Sequence, residues 1–214
     1  MLYHKIEGPF KRQADNPKEV DRTAWRNETV KMLADAPIWV ASEKIDGTNI
    51  RIIWDGHRVT FGGRTERAEL PGALRVHLEK TFLAPGVEEV FEELFGDKHV
   101  VIFGEGYGPK IQNGGKYRDT PAFIGFDVAV EETLISRKNA RQICDRLGVA
   151  FVPEFAPRTL SDLIKWVSEG YVSEFGDFIA EGLVAVTEEP LYDNRGNRLI
   201  VKVKEADLYR PNSV

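Results

Sequence analysis

With 214 residues, 42% of them hydrophobic, the chain is long enough to bury a full core and needs no more than one domain. Its 34 acidic against 29 basic side chains give a formal charge of -5, which argues against a protein that coats polyanions indiscriminately. A single cysteine, Cys144, excludes an intrachain disulfide, and Met1-Leu2-Tyr3-His4-Lys5 leads into no apolar run long enough for a signal peptide or membrane span, so a reduced, cytoplasmic protein is expected.

In chain order, Val20, Ala24, Val30 and Leu33 predict a helix over 18–33. The apolar run 38–42 predicts a strand. Residues 49–54 alternate through Ile50, Ile52 and Trp54, Asp55-Gly56 is a hairpin signal, and 58–61 returns as a second strand. Helical patterns follow at 73–82 and 87–95, then a helix over 136–147 with Ser136 as its N-cap and Cys144 as a buried, inert thiol, and another over 160–169. Further strands are expected at 99–103, 122–130, 182–186 and 199–203. Prolines and glycines are scattered, and no linker or repeat is visible. The mixed order of strands and helices predicts an α+β fold of antiparallel sheets around a cleft, in a single domain over 1–214.

Lys44-Ile45-Asp46-Gly47 lies between the first strand and the hairpin. An ammonium group beside a rigid turn can be held against a phosphate and partly desolvated, which favours the free amine as a nucleophile. Read alone, the tetrapeptide fits better a surface lysine before an Asp-Gly hairpin turn. Lys202 and Lys204, two apart on a strand, point to one face and can converge on one phosphate while Val201 and Val203 face the core. Glu105 and Glu181 each sit at a strand end beside a glycine, where a carboxylate can meet a ribose hydroxyl or a hydrated metal. Arg64 follows Gly62-Gly63, and Phe126 offers a flat face to a base. Basic side chains gather locally, as at Lys110, Lys116 and Arg118 and from Arg195 to Lys204, which suits a basic cleft in an acidic body and equally ordinary solvated faces. His4, His57, His77 and His99 are dispersed without metal-ligand spacing, and the glycines of 104–115 match neither phosphate-loop nor dinucleotide spacing.

After Lys44 come Asn49, Gly63-Arg64-Thr65, the run from Phe103 to Pro109, Phe123-Ile124-Gly125-Phe126-Asp127, Ala180-Glu181-Gly182-Leu183-Val184 and Ile200-Val201-Lys202-Val203-Lys204. This succession, over 38–204, resembles the covalent lysine nucleotidyltransferases, most closely the ATP-dependent RNA ligases of the phage nick-sealing type. The resemblance implies that Lys44 attacks ATP to form a lysine-AMP intermediate, with Lys202 and Lys204 on the phosphate. It implies Glu105 at the ribose and Asp46 and Glu181 near Mg2+ or Mn2+, two roles that could be exchanged. Arg64 would contact the nucleotide, Phe126 would stack on adenine, and Glu43 and Asn49 would position base and phosphate. The activity implied is the joining of RNA 5′-phosphate to 3′-hydroxyl ends, at duplex nicks, by a monomer. DNA ligases and capping guanylyltransferases use the same core, and a non-sealing nucleotide- or RNA-end-binding module is the alternative of another class. Because only ten residues follow Lys204, a bare catalytic domain is expected.

Overall fold

The computed structural model describes residues 1–208, and the expected alternation of 49–54 carries directly into it: Ile50, Ile52 and Trp54 are all buried. The elements are β1 (Phe10–Arg12), β2 (Val20–Trp25), α1 (Glu28–Met32), β3 (Trp39–Glu43), β4 (Thr48–Trp54), β5 (Val59–Gly63), α2 (Gly72–Phe82), α3 (Val87–Phe95) and β6 (Val100–Tyr107). They continue with β7 (Ala122–Val130), β8 (Thr133–Leu134), α4 (Arg137–Arg146), β9 (Glu154–Arg158), α5 (Leu160–Ser168), β10 (Gly182–Thr187), β11 (Ile200–Lys204) and α6 (Glu205–Leu208). Every strand ladder among them is antiparallel. Contacts divide the chain into two compact units, the first holding 1–4 and 46–152, the second holding 5–45 and the described residues from 153 onward.

The first unit is built on a five-stranded sheet ordered β5-β4-β6-β7-β8. The β4–β5 turn is fixed by Asp55, whose Oδ1 accepts from the backbone N–H groups of His57 and Arg58, both at 3.0 Å. Helices α2 and α3 bury Leu74, Leu78, Phe82, Phe91 and Phe95, and the Trp54 ring stacks on Phe91 at 5.6 Å. Ser136 caps α4 as expected, accepting from the Asn139 N–H. Burial pushes the Cys144 thiol of this helix up to about 12. Native protein at pH 8 should therefore resist alkylation and label fully in denaturant; fast native labelling would show that α4 opens.

The second unit carries a four-stranded sheet ordered β11-β10-β3-β9 and the small β1-β2 ribbon. Trp39, Ala41, Leu183, Ala185, Val201 and Val203 pack with Leu160, Leu163 and Val167 of α5 into one core. Thr159 caps α5, its Oγ1 accepting from the Asp162 N–H at 3.0 Å. The helix expected over 18–33 is corrected: 20–25 form strand β2, paired with β1, and only Glu28–Met32 is helical. Val20, Thr23 and Trp25 favour a strand, and Asn27 caps a helix that can begin only after it, accepting from the N–H groups of Thr29 and Val30. No helix among the described residues is long and apolar enough to cross a membrane.

Candidate active site

Lys44 stands one residue beyond β3, where its backbone N–H donates to the Gly182 carbonyl at 2.9 Å and prolongs the ladder with β10. That pairing sets it beside Glu181, whose carboxylate bridges two ammonium groups. Lys44 Nζ donates to Oε2 at 2.7 Å, and Lys204 Nζ lies 2.8 Å from Oε1. In β11 the valines of 201 and 203 are buried and Lys202 and Lys204 alternate with them, as the sequence predicts. Burial holds the Lys202 amine below the ordinary lysine range, aided by the charges of Lys204 and then Lys44. The second unit thus gathers Lys44, Glu181, Lys202 and Lys204 into a cationic group with a proton acceptor built in.

Glu43 belongs to the opposite face of β3. It alternates with Ala41 and Trp39, is 2% exposed, and points toward the core side. Its carboxyl accepts from Ser173 Oγ at 2.6 Å, the Glu174 N–H at 2.8 Å and Tyr171 Oη at 3.1 Å. Burial pushes it above the usual carboxylate range in spite of these bonds. Glu43 therefore anchors the strand that ends at the lysine. Its partners were not legible in the sequence, since nothing in the spacing links residue 43 to 171–174.

In the first unit, Asp46 is clamped by the 108–117 loop: Asn113 Nδ2 donates to Asp46 Oδ2 at 2.5 Å, and the Asp46 N–H donates to Tyr117 Oη at 3.2 Å. Lys110 and Gln112 hold positive φ angles of 66° and 48° in this loop, a local strain typical of functional segments. Gly47 cannot carry a side chain, because a Cβ would run into the Gly106 carbonyl and stand 2.9 Å from Glu105 Cγ. Asn49 lies directly across from Glu105 in the β4–β6 ladder, so Asp46, Asn49 and Glu105 share one region. The buried Asn49 Oδ1 has no hydrogen-bond partner among the described residues. Such an orphan costs about 1–3 kcal/mol, a cost that a donor group on a ligand removes.

Arg64 is exposed at the end of β5 and makes no hydrogen bond or ion pair among the described residues. Phe126 is half-buried at the irregularity between β6 and β7, with the Tyr3 ring edge-on at 5.1 Å and its carbonyl accepting from Arg137 Nη1 at 2.8 Å. Tyr3 itself donates to Asp127 at 2.5 Å, a brace that no sequence pattern announced. Among the described residues no group of three or more His, Cys, Asp or Glu side chains is placed to cage a metal. Asp46 and Glu181 each present a hard carboxylate oxygen, and Mg2+ commonly takes only one or two carboxylates beside phosphate and water, so each fits that role.

A family model described as RNA ligase matches residues 37–204. Solved structures of an RNA ligase from Naegleria gruberi share the fold. One of a variant with ATP and Mn is 14% identical, with a TM-score of 0.64, covering 95% of this chain and 60% of that one. A ligand-free variant is 15% identical with a TM-score of 0.64, covering 96% and 59%, and a form with pyrophosphate is 15% identical with a TM-score of 0.61, covering 94% and 59%. This chain thus spans less than two thirds of the length of those structures. No curated protein matches the sequence.

Proposed function

The chain belongs to the RNA ligase family, and from that membership we propose that it is an ATP-dependent RNA ligase working through a lysine-AMP intermediate. The observation that carries the reading is the Glu181 carboxylate bridging Lys44 and Lys204 at 2.7 and 2.8 Å. Three transfers are implied. The Lys44 amine attacks the α-phosphorus of ATP, a P–N bond forms, the bond to the β-phosphate breaks, and pyrophosphate leaves. An oxygen of the RNA 5′-phosphate then takes the AMP and frees the lysine. Finally the 3′-hydroxyl attacks that 5′-phosphorus and AMP departs.

Lys44 must shed a proton before attack, and Glu181 is the acceptor within hydrogen-bond reach. Lys202 and Lys204 draw charge off the α-phosphate as it becomes crowded in the transition state. Glu105 is assigned to the ribose, Arg64 to the nucleotide phosphates and Phe126 to the adenine face. Asn49 donates its amide to a phosphate, and its unpaired oxygen takes a ribose hydroxyl. Glu43 braces the nucleophile's strand. Asp46 and Glu181 are the carboxylates assigned to Mg2+ or Mn2+, which when bound offsets charge on the leaving phosphates. The substrate is RNA with 5′-phosphate and 3′-hydroxyl ends, held best at duplex nicks because a splint supplies proximity.

Incubation with labelled ATP, then denaturing electrophoresis, tests the first transfer, and a nicked duplex of RNA or DNA with ATP or GTP tests the rest. ATP and nicked RNA should give the product; preference for GTP or for DNA ends would move the chain to a capping or DNA-joining role. Lys202→Ala or Lys204→Ala should slow adenylylation tenfold or more, since about 1.4 kcal/mol of lost transition-state stabilisation already gives that factor. Lys165→Ala, on an exposed face of α5, should change the rate little. Equal losses at Lys165 and Lys204 would show that general charge is being measured.

A further inference from the structure

Within the second unit, the segment before β1 runs alongside β11. The Lys202 N–H donates to the Glu7 carbonyl at 3.1 Å, and a Cβ added at Gly8 would lie 3.6 Å from the Lys202 carbonyl oxygen. Between this segment, β2 and α6 lies a pocket of about 260 Å³, into which Lys202 and Lys204 extend together with Lys5, Arg12 and Arg26. Among the described lining residues only Glu7 and Asp207 are acidic, and Lys204 is already paired with Glu181 at 2.8 Å. Asp207 is taken up by Arg12 at 2.7 Å, and Glu7 is shared between Lys5 at 3.0 Å and Arg26 at 3.8 Å. Lys202 makes no ion pair among the described residues and feels the Glu7 charge only at longer range. The pocket therefore keeps a surplus of positive charge that its own side chains do not neutralise.

Its size narrows the ligand. Pockets that enclose a whole small molecule begin at roughly 300 Å³, so this one suits a phosphate or diphosphate group rather than a nucleoside. Arg26 supplies a planar fork for phosphate oxygens and Lys5 a mobile point charge. We infer that this pocket, lined by Lys5, Arg26 and Lys202, is a second phosphate-binding site that takes the compact, multiply charged phosphate end of a substrate. The inference rests on the reading above for its two sources, the diphosphate end of ATP and the 5′-phosphate of RNA. Glu7 tunes the site by withdrawing part of its positive charge.

Calorimetric titration of the full chain, without ATP, tests it with two probes: inorganic pyrophosphate and a 5′-phosphorylated RNA oligonucleotide. A 5′-hydroxyl oligonucleotide of the same sequence is the control. Lys5→Ala and Arg26→Ala should each weaken one of the phosphate probes tenfold or more, and the probe that responds identifies the source. Glu7→Gln should tighten the same probe severalfold, a gain that a merely structural part for Glu7 would not produce. Arg26→Lys, which keeps the charge but loses the planar fork, should fall between wild type and Arg26→Ala and guards against a variant that fails to fold. No binding of either probe to wild type, unchanged affinities in Lys5→Ala and Arg26→Ala, or an equal loss with the 5′-hydroxyl control would each overturn the inference. Because the titration needs neither ATP nor the Lys44 amine, it can succeed where adenylylation fails, and the reverse.

Discussion

Protein incubated with ATP and a divalent metal should gain the mass of one AMP, and Lys44→Ala should gain none. The loss is expected to be complete rather than graded, because the side chain supplies the bond-forming nitrogen and no neighbour can replace it. Lys202 and Lys204 are the other amines gathered with it. Yet both belong to β11, and Lys204 is already engaged with the second oxygen of Glu181. Lys44→Arg should fail as well: it keeps the positive charge beside Glu181, but a guanidinium stays protonated at any workable pH. Intact mass spectrometry of the three proteins gives the answer directly, and AMP retained on Lys44→Ala would sink the assignment of the nucleophile.

Gly182→Ala should be nearly as damaging, through the backbone instead of the chemistry. Gly182 has a φ of +140°, where side chains are strained, and an added Cβ would meet the Val203 carbonyl and lie 2.9 Å from Lys204 Cα. A residue held in such a conformation costs on the order of 1–3 kcal/mol before any clash is counted. For a chain of this size each 1 kcal/mol lowers the melting temperature by roughly 2–4 °C, so a fall of about 5–10 °C is expected. Adenylylation should drop further than stability alone explains, because the Gly182 carbonyl receives the Lys44 N–H and its neighbour Glu181 holds both lysines. Gly72→Ala, where nothing lies within 4 Å of the added carbon, serves as the control. Thermal melts of the two variants separating by less than about 1 °C would show that the β10–β11 register tolerates a side chain at 182.

Local pattern carried much of this molecule. Alternation was enough for β4 and β7, caps were enough for α4 and α5, and the Lys-Val-Lys period placed both lysines on one face of β11. What failed had a common physical cause. Val20 and Ala24 satisfy a helical spacing, but strand pairing with residues around Phe10 outweighed it, and that pairing leaves no trace in a short window. Strand β9 went unread for the same reason: its Pro157 and flanking charges suit an edge, and only its partner β3 makes it a strand. In the site, the types of residue were legible but not their grouping. Glu43, which the family resemblance puts at the base, is held by Tyr171, Ser173 and the Glu174 N–H, partners that no spacing in the sequence announces.

The second unit is discontinuous in the chain, and this bears on the order in which a ribosome delivers its parts. Lys44 and Glu181 are 137 residues apart. By the time Glu181 emerges, the first unit's sheet has long been translated, since its last strand ends at Leu134 and all its ladders close before that point. Segments close in sequence find each other sooner than those that must close a long loop. Lys44 is thus among the first groups of this cluster to be made and among the last to be equipped. A nascent chain or prematurely terminated product that stops short of 181 carries Lys44 without Glu181, Lys202 or Lys204, and is expected to leave cellular ATP untouched.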